Sequence, residues 1–169
     1  LPKNIKYSIT EGRLERMRLQ KINTIDPWIQ EIIKDDPVRS EIPIDHRINE
    51  DAEIYALWNN TELGAVTCVS YTEGIPGSVE EMYSLSSPFM DTVVFYTIWS
   101  YTKGSGRELI INASESIIKE HPSIKNIVTL SPKTEMAKKF HTRNGAWHFR
   151  ENPNTINYAY QLDERLHTL

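Results

Sequence analysis

Three short stretches of this chain carry side chains that could do chemistry together. In AKKFHTRNGAW (Ala137–Trp147) a histidine, His141, falls in the last turn of an amphipathic helix, four residues before the glycine that stops it. A helix C-terminus stabilises imidazolium through the macrodipole, so the position suits a general acid, although many helix-end histidines are only surface residues. In YTKGSGRELI (Tyr101–Ile110) the residues Lys103, Gly104, Ser105, Gly106 and Arg107 lie where a strand turns into a helix. Glycines let backbone approach a ligand, the unpaired amides of a first helical turn point at it, and the two cations add charge. Such a turn suits an anion, and it equally suits a tight connection that needs positive φ. In NIVTLSP the pair Ser131-Pro132 ends a strand and on turn chemistry alone is a break.

Other chemistries are disfavoured. The single cysteine, Cys68, cannot form an internal disulfide and sits in the apolar run AVTCVSY, as a reduced core residue would. His46, His121 and His167 lack the spacing of metal ligands, and with one cysteine a zinc site is not expected. His148 alternates with Trp147 and Phe149 as a strand residue does, and Glu80-Glu81 fit a capping role. The formal net charge of −4 offers no dominant basic face for nucleic acid, while leaving room for a local basic pocket. No apolar run reaches membrane-spanning length, LPKNIKYSIT lacks the apolar core of a signal peptide, and the closing His167-Thr168-Leu169 matches no targeting signal. A cytoplasmic enzyme that touches no membrane fits these features.

The elements that must position the three stretches follow from periodicity. Residues 1–24 are polar and weakly periodic, an arm or a partly ordered helix, and 25–169 read as one domain. Asp26-Pro27 opens a helix whose apolar face is Ile29, Ile32 and Ile33, and Asp36-Pro37 ends it. EIYALWN (Glu53–Asn59) and LGAVTCVSY (Leu63–Tyr71) make a hairpin about Asn60-Thr61-Glu62, and a short helix begins at Ser78-Val79-Glu80-Glu81. TVVFYTIW (Thr92–Trp99) is β-branched and aromatic throughout, a central strand buried on both faces. A helix carrying Leu109, Ile110, Ala113, Ile117 and Ile118 runs to Pro122, and NIVTL (Asn126–Leu130) is another buried strand. Lys133–Asn144 forms a second core helix closed by Gly145, and Trp147–Arg150 with Ile156–Leu162 make the last strand pair. The class is α/β in the α+β sense: a mixed, mostly antiparallel sheet flanked by helices.

The order of these elements and the glycine turn resemble the GNAT acyltransferase superfamily, whose Q/R-x-x-G-x-G/A loop cradles the pyrophosphate of CoA. Tyr101 stands where that loop has Gln or Arg, so the match is partial. The superfamily's A-x-x-L-Y-x-x-x-G-F helix end is matched by Ala137, Phe140, His141, Gly145 and Ala146, with His141 at the position of the tyrosine that serves as acid beside the thioester sulfur. Within the superfamily several segments resemble malonyl-CoA decarboxylases. FYTIW (Phe95–Trp99) resembles FYSIS, IVTLSP (Ile127–Pro132) resembles VTLSPIPGF, FHTRNGA (Phe140–Ala146) resembles NFHxxNGA, and Asn157-Tyr158-Ala159-Tyr160 resembles N-Y-x-Y. LGAVTCVSYTEGI resembles the family's P-L-x-x-V-x-V-A-L-T strand. The family's IPGF, its helical insertion and its N-terminal helical domain have no counterpart here, so the resemblance implies a short form.

What this resemblance implies is a GNAT-like domain that decarboxylates malonyl-CoA, or a related malonyl thioester, in fatty acid metabolism. Ser131 and His141 are the implied catalytic residues, and Tyr160 the implied pocket tyrosine. Substrate binding is expected at Lys103, Gly104, Ser105, Gly106 and Arg107, and at Thr97 on the strand whose amides over Val93–Thr97 would meet the thioester carbonyl. The chemistry needs an acid near C2 and donors at the enolate oxygen but no metal and no organic cofactor. Imidazolium at His141 suits the acid, its ordinary pKa being about 6.5. Ser131 and His141 are ten residues apart, and a straight helix would separate them by up to about 15 Å, so both reach one malonyl group only if the helix starts late. The partner expected is a small acyl-CoA, with an acyl-carrier-protein thioester or a homo-oligomer compatible. Two alternatives stand beside this reading: an acyl-CoA acyltransferase, for which Asp91 is the only nearby base, and a non-catalytic acyl-CoA-binding module.

Overall fold

In the computed structural model, which describes residues 5–10 and 13–161, the first strands arise where a helix or arm is expected. Ile5–Thr10 (β1) and Arg13–Ile22 (β2) pair antiparallel. The helical expectation is corrected because Met17 and Leu19 alternate with exposed or half-exposed Arg16, Arg18 and Gln20, a period-two pattern that buries one side. Residues 1–4, 11–12 and 162–169 lie outside the described residues, and with them His167 and the expected strand end at Leu162.

β2 pairs with Ala52–Asn59 (β3), β3 with Glu62–Thr72 (β4), and β4 with Thr92–Ser100 (β5), all antiparallel. β5 then pairs in parallel with Asn126–Thr129 (β6), the one parallel pair among the described strands. Ser131–Pro132 (β7), Trp147–Glu151 (β8) and Thr155–Tyr160 (β9) complete a nine-stranded sheet, β9 joining β6, β7 and β8. Ser131-Pro132 is therefore more than the expected break, since it pairs with Ile156 and Thr155.

Helices cover both faces. Pro27–Ile32 (α1), continued by a 3-10 turn to Asp35, Ile44–Arg47 (α2) and Val79–Ser84 (α3) lie on one face, where Ile29, Ile42 and Met82 pack on Val66, Val94 and Trp99. On the opposite face Ser105–Glu120 (α4) seats Leu109, Ala113 and Ile117 on Tyr55, Val69 and Phe95. β5 is buried on both sides, as its composition requires. No helix among the described residues is long and apolar enough to cross a membrane.

Two irregularities open the middle of the sheet. The β4–β5 register shifts so that Cys68 faces Thr97 and Val69 faces Phe95, leaving Tyr96 as a bulge. The β5–β6 register ends at Phe95 and Thr129, with one further bond from Leu130 N to the Phe95 carbonyl at 3.2 Å. Beyond it β5 and the β6–β7 segment part. Glu135–Arg143 (α5), capped by Thr134 Oγ1 accepting from Ala137 N at 3.2 Å, borders the gap and ends at Gly145, whose φ of 96° only glycine adopts freely.

Candidate active site

The parted strands leave a slot of about 310 Å³. Phe95 to Ser100 of β5 form one wall, Ser131 and Pro132 the other, Ala137, Phe140 and His141 of α5 border its front, and Pro37 and Val38 close its back.

His141 is 5% exposed. Its Nδ1 lies 2.8 Å from the hydroxyl of Tyr160, its ring stacks on Tyr158 at 5.3 Å and 25°, and the edges of Phe140 and Tyr160 close around it. Burial pushes the imidazole pKa down to about 4. The expectation of an imidazolium is thus corrected: the helix-end position favours the cation, but removal from water outweighs it, and the ring is neutral at neutral pH. Burial raises the Tyr160 phenol, against the pull of the Arg107 charge, so its proton stays on.

The helix does start late. Ser131 and Pro132 are spent in β7, Thr134 caps, and α5 begins only at Glu135, which brings Ser131 and His141 onto one slot. Ser131 Oγ donates to Thr129 Oγ1 at 2.8 Å, and that same oxygen accepts the Tyr158 amide at 3.0 Å, tying the serine to the strand behind the stacked ring. Thr97 also borders the slot, but its hydroxyl donates to Asp36 Oδ1 at 2.6 Å and is committed there.

The glycine turn lies beside the slot rather than on it, joined through Ser100. Gly104 takes φ 82° at the start of α4 and no side chain caps the helix; the Ser105 amide donates to the Thr102 carbonyl at 3.4 Å, and the amides of Gly106 and Arg107 are left uncapped by any side chain. Lys103, Gly104 and Arg107 are exposed, and Arg107 reaches Asn144 Oδ1 at 3.4 Å. The Ser105 hydroxyl is used internally, by Asn59 Nδ2 at 2.9 Å and by Thr102. A Cβ on Gly106 would lie 2.9 Å from Ser100 Oγ and 3.2 Å from the Phe140 ring, so glycine lets α4 and α5 meet at the slot mouth. Tyr101, at the position expected to carry Gln or Arg, turns to the opposite face and donates to Asp35 Oδ2 at 2.6 Å.

The segment from Asp35 to Arg39 gives no more at sequence level than a helix terminator, yet it spans the back of the gap. Beyond the Asp35 and Asp36 links, Arg39 Nη2 donates to the Leu130 carbonyl at 2.7 Å, where a continued β5–β6 ladder would have placed a β5 amide. Asp36 is buried and paired with Arg47 Nη1 at 2.8 Å. Burial alone would raise its carboxyl, but bonds from Thr97, the Arg39 amide, Arg47 and the Val38 amide outweigh that and hold it below the usual range. The only signal for this in the sequence is an Asp-Pro pair whose partners are distant along the chain. Tyr158 is likewise unflagged as a site residue beforehand, since only folding lays it on His141.

Asp91 sits at the start of β5, away from the slot walls. Its carboxylate accepts from Gly74 N at 2.9 Å and Thr92 Oγ1 at 2.7 Å. Cys68 is fully buried, and burial pushes its thiol up to about 11. Among the described residues no three His, Cys, Asp or Glu side chains converge on a point.

No protein-family model matches the sequence, and neither does any curated protein. Solved structures do match. Malonyl-CoA decarboxylase from Rhodopseudomonas palustris superposes with a TM-score of 0.56 at 25% identity over 75% of this chain and 33% of that one. The GNAT domain of S. lividans PAT superposes with a TM-score of 0.64 at 11% identity over 96% of this chain and 99% of that domain. A Bacillus subtilis acetyltransferase in complex with CoA gives 0.59 at 15% identity over 86% and 99%. The fold is therefore GNAT-like, its neighbours include decarboxylases and acetyltransferases, and the chain spans about a third of the R. palustris enzyme.

Proposed function

We propose that the chain binds a CoA thioester in the slot between β5 and β6 and releases CO2 from a malonyl group. The observation that carries this reading is that Ser131 and His141 line one largely apolar slot, with Tyr160 bonded to the histidine from outside it. The uncapped start of α4, with Lys103 and Arg107, would hold the pyrophosphate, a role helix N-termini suit. Amides along β5 would face the thioester carbonyl.

Decarboxylation breaks the bond between C2 and the carboxyl carbon. The electron pair passes into the thioester as an enolate and CO2 leaves uncharged, a step that apolar walls favour because charge leaves the carboxylate. Ser131 turns its hydroxyl from Thr129 to the carboxylate and orients it. With Tyr160 donating to Nδ1, the neutral ring of His141 carries its proton on Nε2, the edge left for the slot. That proton goes to C2 as the Tyr160 proton passes to Nδ1; solvent then returns a proton to Nε2 while Nδ1 gives its proton back to the phenolate oxygen, which restores the starting tautomer without a free-standing imidazolium acid. No organic cofactor or metal enters this scheme.

The test is CO2 release and acetyl-CoA formation from malonyl-CoA by the native protein beside His141→Ala. Turnover lost in the variant, with CoA binding kept, supports the reading; native protein that binds CoA without turnover overturns decarboxylation of malonyl-CoA.

The near-complete overlap with the S. lividans GNAT domain favours acyl transfer as the second reading. An amine acceptor needs a base, and the titratable side chains on the slot are Tyr96, whose phenol burial pushes far up, and His141, whose pKa of about 4 makes it a poor base. Acetyl-CoA consumption that depends on an added amine would favour transfer.

A further inference from the structure

The back of the slot is closed by a strap built unlike an ordinary loop. Asp35 is tied to Tyr101 just past β5, Asp36 to Thr97 on β5, and Arg39 to Leu130 between β6 and β7, so the strap bridges both sides of the gap. Asp36 Oδ1 also accepts from Val38 N at 2.8 Å and Arg39 N at 3.0 Å, folding the strap on itself. Arg47, 1% exposed, holds it from behind, with Nη1 on Asp36 Oδ2, Nη2 on the Arg39 carbonyl at 2.6 Å and Nε on the Ile42 carbonyl at 2.9 Å. Between these pins Pro37 and Val38 line the same slot as His141 with apolar residues.

We propose that Val38, held by this strap, sets the size of the acyl group that the slot accepts. The inference rests on the reading of the slot as a CoA-thioester site. A ligand whose phosphates lie at the start of α4 enters past Ser100, passes His141 with its thioester, and points its acyl end at the strap. At about 310 Å³ the slot is at the small end of ligand sites, so a pantetheine arm leaves little room beyond the sulfur. A wall pinned at three points and backed by a buried ion pair does not retreat to admit a branch on C2, because packed protein resists deformation. The site therefore takes short acyl groups unbranched at C2.

The experiment measures dissociation constants for CoA, acetyl-CoA and isobutyryl-CoA by calorimetry, with native protein, Val38→Ala and Val38→Ile. These ligands carry no carboxylate to lose, so binding is read without turnover. The native protein should prefer acetyl-CoA to isobutyryl-CoA. Val38→Ala should move that ratio roughly tenfold toward isobutyryl-CoA, the scale of a methyl-sized change in an apolar pocket. Val38→Ile should move it the opposite way, and it keeps the proposal testable if the alanine variant fails to fold. The same ratio in all folded proteins, with CoA still bound, overturns the role of Val38 alone. Failure of the native protein to bind any of the three overturns the CoA reading, and this inference with it.

Discussion

Two loops flank the slot, and they treat their polar groups in opposite ways. The strap at Asp35–Arg39 satisfies its carboxylates within the fold, and the guanidinium behind it has a protein acceptor on each of its three nitrogens. The turn at Lys103–Arg107 leaves the start of α4 without a side-chain cap and its cations exposed. The difference separates shape from affinity: groups paired internally fix geometry and give a ligand nothing, whereas groups left open contribute little until a ligand arrives.

The strongest way to break this contrast is Asp36→Ala. It strands the buried Arg47 charge, and removing one member of such a pair destabilises by about 3–5 kcal/mol, readable by urea denaturation. If the variant unfolds at the native midpoint, the strap is not a structural element.

Acid comes next. The His141 imidazole has a pKa of about 4 in the folded chain, against an ordinary value of about 6.5. The unfolded chain takes up that proton first, so stability is full above about pH 6.5, falls as pH drops toward 4, and loses about 3 kcal/mol in all. His141→Gln should flatten this slope in pH-dependent denaturation. For the same reason kcat/KM of the native protein should not fall between pH 6 and 8, whereas an imidazolium acid of ordinary pKa would lose activity there.

Gly106→Ala lies between the two loops in character. Its methyl presses on Ser100 and Phe140, so a destabilisation of about 1–3 kcal/mol is expected in thermal unfolding, with weaker CoA binding. The smallest stability effect belongs to Lys103→Ala with Arg107→Ala, within about 0.5 kcal/mol of native as for ordinary surface substitutions. Calorimetry should nonetheless show CoA affinity falling roughly tenfold, as loss of charge-assisted contacts implies. A loss of stability without loss of affinity would reverse the comparison.

Elements with strong local patterns were legible in the sequence. β3 to β5 and α4 carry their own periodicity and end signals; α5 was legible as a helix ended by Gly145, but not as one that starts at Glu135 rather than Lys133 and buries only His141 instead of serving as a core helix. β2 was not, because charged residues flank each of its apolar ones and its burial depends on pairing with β3. Within the site the motif match pointed to His141, Ser131 and Tyr160, but not to the charge on His141. That depends on Tyr158, seventeen residues away in the chain, lying flat on the ring. The strap was invisible for a related reason: Asp36 finds Thr97 and Arg39 finds Leu130 only after the sheet has formed. The Ser105 and Thr97 hydroxyls, expected at the ligand, are committed to internal bonds.

The parallel pairing of β5 with β6, the lone one among the described strands, has a kinetic meaning. Antiparallel neighbours from β2 to β5 can form by successive local closures, but β6 reaches β5 only after the whole of α4 has crossed over. Closing so long a loop carries an entropy penalty before any contact rewards it, which delays that pairing. The slot straddles this seam, so a chain folded only as far as β5 has one wall and no cavity. A ligand seated there recognises only the completed sheet, and its binding free energy should slow global unfolding rather than protect a single segment from local opening.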